Sequence, residues 1–411
     1  MSRLVESVVP RRMGTSFRWL VSSSWVSNIG DGIALAAGPL LVQSQTESAF
    51  LVAVAALVQR LPWLLLGLWA GAVADRVDRR LLVVLANLAR AVVVLVLCGF
   101  VATGHVSITV VLVLLFLLGV AEVFADTTTS TLLPMVVDRR DLGTGNARLQ
   151  AGFLVGNQLV GPPVGAFLFA AGMVWPFVVQ VVCILFAAAL VARIAATPVP
   201  VRETPTHVRQ DIVEGVRWIL GNAPVRTLAL VILAFNVTWA APGAILVKYA
   251  LDHLHMDEVG FGLLTTASAV GGVIAIGCYG WLERHVSLAT LMRVCLTLEV
   301  LMHGALALTT TGWVAVAIMG VFGLYAFVWG TVSSTVRQRA VPTELQGRVS
   351  AAYMVCVYGG IAVGQLLGGV IAEVWGLTAP FWFAFVGAGL TLVLVWSRLA
   401  NVAHAGEAEP S

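Results

Sequence analysis

The chain has 411 residues, 59% hydrophobic and 11% charged, with 24 basic against 21 acidic residues and a formal charge of +3. Soluble domains carry about a quarter charged residues, so this composition excludes a soluble enzyme and points to an all-α membrane protein. The arginines are spread over many short loops, which excludes a nucleic-acid interface as the meaning of the positive balance.

Breaks at charged and Pro/Gly/Asn-rich positions set twelve apolar spans, at 17–43, 49–74, 81–102, 106–130, 146–170, 173–194, 226–250, 259–282, 287–309, 313–336, 347–372 and 378–398. The first is too long for the apolar core of a signal peptide, so no cleavable leader is expected. The long polar stretch 195–225, with Pro198, Pro200, Pro205, Arg202, Arg209, Asp211, Glu214 and Arg217, divides the chain six plus six. The reading is an N-terminal bundle (1–194), a linker (195–225), a C-terminal bundle (226–398) and a tail (399–411). Cys98, Cys183, Cys278, Cys295 and Cys356 all fall inside spans without Cys-x-x-Cys spacing, and read as packing residues, not disulfides or metal ligands.

Between the second and third spans, residues 71–80 hold five charges: Asp75, Arg76, Asp78, Arg79 and Arg80. A short cationic turn between apolar runs is a cytoplasmic hairpin, because Lys and Arg stay inside. With the N-terminus inside, all basic residues except Arg60, Arg90 and Lys248 fall in or beside cytoplasmic segments, and the even span count puts both termini there. The halves also repeat. Asp141-Leu142 precedes Gly161-Pro162-Pro163-Val164-Gly165 as Glu344-Leu345 precedes Gly364-Gln365-Leu366-Leu367-Gly368, at an offset of 203, and Glu283-Arg284 weakly echoes the 71–80 loop. Repeated halves are what alternating-access transporters use.

Twelve spans, the central linker and the 71–80 motif beginning at Gly71 resemble the major facilitator superfamily over essentially the whole chain. Asn28-Ile29-Gly30-Asp31-Gly32 and Gln59-Arg60-Leu61-Pro62 resemble its bacterial efflux branch, which takes in enterobactin exporters and macrolide efflux proteins. Asp78 stands where the loop motif ordinarily has Gly. Gly161, Pro162 and Gly165 match the fifth-helix motif associated with antiporters, except that Ala166 replaces its final Gly. The resemblance implies two pseudo-symmetric six-helix bundles in the cell membrane. It also implies a cytoplasmic latch in which Asp75 caps a helix end or pairs with an arginine while Arg76, Arg79 and Arg80 reach acids nearby. The other reading is that these arginines only set topology and meet lipid headgroups.

Ionisable residues inside spans each need a partner or a watery cavity. Asp31 lies ~20 Å up the first helix and Arg60 about 22 Å up the second, at ~1.5 Å per residue. Matching depth predicts that they face each other, either as a proton-coupling acid tuned by an arginine or as a permanent pair fixing helix register. Glu122 and Asp126 share a face of the fourth helix. Glu122 matches Arg90 in depth and reads as a second protonation site, a binder of cationic substrate, or half of a structural pair. Asp126, a turn nearer the cytoplasm, is the expected partner of Arg79 or Arg80. Glu299 and His303 are also four apart, but the resemblance puts their helix at the periphery. His253 and His255, beside Asp252 and Asp257, read as solvated loop, and no metal site is expected.

Trp25, Asn28, Gln158, Asn236, Trp239, Tyr325, Trp329 and Tyr358 are the positions that could line a cavity, and rings with few directional contacts suit an amphipathic organic molecule. The combined expectation is a secondary transporter, acting as a monomer without a cofactor, that exports small amphipathic molecules such as antibiotics, other drugs or siderophores in exchange for protons. The alternative is a proton-coupled importer of a small metabolite on the same fold. An ATP-driven pump is disfavoured because no Gly-x-x-x-x-Gly-Lys-Ser/Thr loop occurs, and the absence of an appended soluble domain disfavours a sensor or scaffold.

Overall fold

The computed structural model describes residues 13–74, 77–138, 141–195, 208–342 and 345–399, and Asp75, Arg76 and Glu344 lie outside them. No strand occurs among the described residues. The helices of the first half are α1 (Gly14–Gln43), α2 (Ala49–Ala74), α3 (Arg79–Ala102), α4 (Ile108–Val136), α5 (Leu142–Ala171) and α6 (Trp175–Val191). Within α5, Phe153–Val160 is wound as a π-helix. Then follow α7 (Val208–Gly221), α8 (Ala223–Gly243), α9 (Glu258–His285), α10 (Leu288–Leu308), α11 (Gly312–Ala340), α12 (Gln346–Trp375) and α13 (Ala379–Val395). Ten of these have the length and apolar composition to cross a membrane. With the apolar 17-residue α6 and α13, a helix occupies each of the twelve expected spans.

Long apolar runs form helices because lipid offers no partner to a backbone amide or carbonyl, and a helix satisfies both internally. The ends are set by side chains at the polar breaks. Asp78, Ser107, Asn222, Asp257 and Ser287 cap α3, α4, α8, α9 and α10 by accepting from the amides of Leu81, Val110, Val225, Gly260 and Thr290. The polar stretch 195–225 is not all linker. Between Pro205 and Pro224 no proline interrupts it, and Val213, Val216, Ile219 and Leu220 recur at helical spacing, which gives α7. This helix lies on α12: Glu214 pairs with Arg348 at 2.8 Å, and a Cβ on Gly215 would run into the Arg348 carbonyl.

The chain separates into two compact units, the first built from α1 to α6 and the second from α7 to α13, except that Ser48–Leu57 groups with the second and Phe261–Thr266 with the first. In the first unit α1 packs on α5 and α6, and α3 on α4 and α6. The second repeats that pattern with α8 on α12 and α13, and α10 on α11 and α13. Small residues bring the paired helices close, as membrane helix interfaces require. A Cβ on Gly161 would stand 2.5 Å from the Gly32 Cα, and one on Gly165 would collide with the Ile33 carbonyl. In the second unit, Gly364 and Gly368 abut the carbonyls of Val237 and Ala241 in the same way. The motif glycines therefore set the distance between α5 and α1, and their repeats the distance between α12 and α8.

Candidate functional site

Two clusters of polar and aromatic side chains stand out, one inside each unit. In the first unit, Arg90 of α3 is 1% exposed and its Nη2 donates to Asp31 Oδ1 of α1. Ser27, one turn before Asp31, donates to Asp31 Oδ2 at 3.1 Å, and Arg90 Nη1 donates to Asn87 Oδ1 at 3.1 Å. Glu122 and Asp126 on α4 lie within electrostatic reach of the same guanidinium. One buried arginine thus pairs with Asp31 and lies within electrostatic reach of two further carboxylates, the half-buried Glu122 and the exposed Asp126. Arg90 Nε is buried with no hydrogen-bond partner among the described residues.

The expected pairing of Asp31 with Arg60 is not what forms. Arg60 is exposed on α2 and lies within electrostatic reach of Glu122. Counting residues along a helix gives height but not rotation about the axis, and Arg90 matches Asp31 in height as well as Arg60 does. Glu122 lies within electrostatic reach of Arg90, and Asp31 takes the direct ion pair.

The described arginines of the loop motif reach carbonyls near helix ends. Arg79 Nε donates to the Ala74 carbonyl at 3.2 Å, and its Nη1 to the Thr131 carbonyl at 3.2 Å and to Met135 Sδ at 3.1 Å. Arg80 Nη1 donates to the Ile194 carbonyl at 2.9 Å. Ala74 ends α2 and Ile194 follows α6, so the guanidinia cover carbonyls left open at C-termini, where cations are favoured. Asp126 pairs with neither arginine; it belongs to the Arg90 cluster. Asp78, the departure from the usual motif, is the N-cap of α3. Gly71 faces Thr127 of α4 at ordinary contact distance, 3.9 Å from where its Cβ would be.

In the second unit, α8, α10 and α11 enclose a cavity of about 230 Å³. Asn236, Trp239, Tyr325 and Trp329, four of the positions picked from the sequence, line it together with Phe322 and Glu299. Trp239 stacks on Phe322 with centroids 6.0 Å apart and planes at 12°, and Phe322 meets Tyr325 edge-on at 5.6 Å. Glu299 is held from two sides: Tyr325 Oη donates to Oε2 at 2.8 Å, and His303 Nε2 lies 3.1 Å from Oε1. His303 is fully buried, and its Nδ1 has no partner among the described residues. Whatever the place of its helix, the Glu299 carboxylate forms part of the cavity wall. The signal was present as an acid and a histidine four apart in a span otherwise apolar around them.

The remaining candidates lie elsewhere. Trp25 Nε1 donates to the Arg148 carbonyl at 3.1 Å, Asn28 Nδ2 to the Ser24 carbonyl at 2.7 Å, and Gln158 Nε2 to Asn157 Oδ1 at 2.6 Å, all in the first unit. Tyr358 is half-buried on α12 and does not line the cavity. His253 lies 3.2 Å from the Thr309 carbonyl and stacks on Tyr249, and no metal-holding cluster occurs among the described residues.

The two clusters occupy equivalent places. α1, α3 and α4 make the same packing contacts in the first unit as α8, α10 and α11 make in the second, so the two clusters sit on equivalent helices. The cluster on α1, α3 and α4 therefore corresponds to the one on α8, α10 and α11. One is dominated by ions, the other by rings.

The family model described as Major Facilitator Superfamily matches residues 20–365 and 227–410. The chain is 28% identical over 379 residues to the multidrug efflux pump Tap of Mycolicibacterium fortuitum, covering 88% of this chain and 90% of that one. It is 25% identical over 394 residues to the enterobactin exporter EntS of Shigella boydii, covering 93% and 92%. Among solved structures, a bacterial homologue of the iron transporter ferroportin in its inward-facing state superposes with a TM-score of 0.73 at 17% identity, covering 95% of this chain and 99% of that one. The nucleoside transporter NupG does so with a TM-score of 0.72 at 12% identity, covering 94% and 98%.

Proposed function

Because the chain belongs to the major facilitator superfamily, and is thus an integral membrane transporter of small molecules rather than an enzyme, we propose that it exports small amphipathic organic molecules in exchange for protons. The observation that carries this reading is the set of three carboxylates, Asp31, Glu122 and Asp126, around the single buried Arg90. Ionised carboxylates without a countercharge are costly at membrane depth, so the excess is discharged by protons taken up and released as the unit changes its access. In this reading Asp31 and Arg90 are the coupling pair, Glu122 and Asp126 are the further proton acceptors, and Arg60 approaches Glu122 from α2. Export rather than import follows the two relatives, one named an efflux pump and the other an exporter.

The remaining assignments rest on the same reading. The bundles 1–194 and 226–398 are the moving bodies, the 195–225 linker and both termini lie in the cytoplasm of a cell-membrane protein, and a monomer suffices. Arg79 and Arg80, with Gly71, Asp75 and Arg76, latch the cytoplasmic side, while Gly161, Pro162 and Gly165 keep α5 against α1 during exchange. Trp25, Asn28, Gln158 and Tyr358 lie outside this cavity and stay candidates for substrate contact elsewhere on the path.

The test uses inverted membrane vesicles from an efflux-deficient host expressing the chain, with a panel of charged and neutral amphipathic dyes and antibiotics. Wild-type vesicles accumulate at least one panel member, and a protonophore abolishes accumulation. Asp31→Asn loses uphill accumulation yet retains exchange of labelled for unlabelled substrate. Wild-type accumulation by a well-expressed Asp31→Asn protein would overturn the coupling. Hypersensitivity of intact cells, or net uptake, would overturn the direction and favour the importer.

A further inference from the structure

We propose that the aromatic cavity of the second unit is a binding site for organic monocations, with Glu299 recognising the charge and the Trp239–Phe322 stack seating the apolar body. The inference rests on the reading of the chain as an exporter of amphipathic molecules, and it names their chemical class.

Three observations converge on it. First, the lining carries one acid, Glu299, and no Lys, Arg or His. An anionic headgroup would meet a carboxylate there with no cation to balance it, and a neutral one would gain a hydrogen bond at most, without the attraction between charges. Second, the rings around the cavity present π faces: Trp239 and Phe322 are nearly parallel, and Trp329 is one turn beyond Tyr325 on the same face of α11. Such faces attract cations and apolar rings, and the attraction grows as water is removed. Third, Glu299 is held by a phenol and an imidazole, not by a lysine or arginine. The carboxylate is thus aimed and kept in place without a permanent cation across from it.

A purely structural role explains the knot less well. A buried polar knot kept only for packing is often replaceable by apolar residues at no loss. This one is half on a cavity wall and leaves His303 Nδ1 unpartnered at full burial. Tyr325 and His303 act on the ligand through Glu299 and are positioning residues. The contrast with the first unit is consistent: there the acid on α1 already has Arg90 as its cation, whereas the lining of this cavity offers Glu299 no Lys, Arg or His. The volume of about 230 Å³ admits a bicyclic head but not a whole drug-sized molecule.

The test measures binding rather than transport. Equilibrium dialysis of the purified full-length protein in detergent at pH 8 compares N-methylquinolinium, a permanent cation, with quinoline, a neutral ring of nearly the same shape. The wild type is expected to favour the cation by at least about tenfold. Glu299→Gln should bring that ratio close to one while leaving quinoline affinity unchanged. Equal binding of the two by the wild type, or an unaltered ratio in Glu299→Gln, would overturn the site. Should Glu299→Gln not yield folded protein, Trp239→Leu leaves the Glu299 contacts intact and removes a π face, so it should weaken the cation more than quinoline; an equal loss counts against the proposal. Because no proton gradient is involved, a protein that exports only neutral molecules would fail this assay and still pass the vesicle test, and a cation binder without proton coupling would do the reverse.

Discussion

Replacing Arg90 with methionine removes the one guanidinium that three carboxylates share, while Asp31→Asn removes one carboxylate and leaves Arg90 with Glu122 and Asp126. The two changes break the same ion pair, but their costs differ. Arg90 is 1% exposed and its loss strands Asp31 opposite Ser27 alone, with Glu122 and Asp126 also deprived of their countercharge. Breaking a buried pair from one side costs about 3–5 kcal/mol, because the charge left behind is uncompensated. The asparagine of Asp31→Asn keeps one oxygen as acceptor for Arg90 and presents an amide N–H to the Ser27 hydroxyl, which can accept it, so the change forfeits mainly the charged part of one hydrogen bond, about 1–2 kcal/mol. Thermal unfolding of purified protein in detergent, followed by tryptophan fluorescence, reads the difference. Arg90→Met should melt on the order of 10 °C lower than wild type, and Asp31→Asn only a few degrees lower. If Asp31→Asn proved as damaging as Arg90→Met, the picture of one arginine serving three acids would be refuted.

Further outcomes follow from the packing and the caps. Gly165→Ala forces a Cβ into the Ile33 carbonyl and should cost about 1–3 kcal/mol, seen as lower melting and yield, whereas Gly143→Ala, with open space at its Cβ, should be close to neutral. Asp78→Ala removes the acceptor for the Leu81 amide and should cost about 0.5–2 kcal/mol of thermal stability, with Asp78→Asn near wild type; equal melting of Asp78→Ala and wild type would argue against the capping role. Glu214→Gln breaks a pair whose side chains are 48% and 41% exposed, so a loss above about 1 kcal/mol at physiological salt would be a surprise requiring another contact.

Hydropathy alone delivered the twelve spans, because a membrane leaves a long apolar segment little choice of conformation. The repeat at offset 203 was equally legible, and it forecast the matching glycine contacts of α5 with α1 and α12 with α8. Helix rise gave the depths of Asp31, Arg60, Arg90 and Glu122 but could not say which way each pointed, which is how Arg60 came to be matched with the wrong carboxylate. The aromatic positions of α8 and α11 declared themselves by spacing, whereas Trp25 and Gln158, equally plausible on composition, turned out to bond to nearby groups. Glu299 was set aside on an argument about where its helix ought to lie. Its own chemistry, an acid beside a histidine within an apolar span, was the better guide. Asp78 looked like a flaw in a motif until the open amide at the start of α3 supplied its reason.

The π-wound stretch of α5 has a mechanical meaning of its own. Its counterpart α12 is α-helical from end to end, so two helices with the same residue spacing are threaded with different pitch. Amides in Phe153–Val160 reach back five residues instead of four, and a helix in that state can hand each bond to the neighbouring carbonyl without ever leaving it unmade. Such a seam lets the part carrying Gly161 and Gly165 rotate against the part whose Arg148 carbonyl holds Trp25, while both stay docked on α1. Among the described residues the second half has its own π-wound turn at Tyr249–His253, after α8, but none within α12. Hydrogen–deuterium exchange should find the α5 seam as early labelling at 153–160, with the equivalent amides at 356–363 protected for longer.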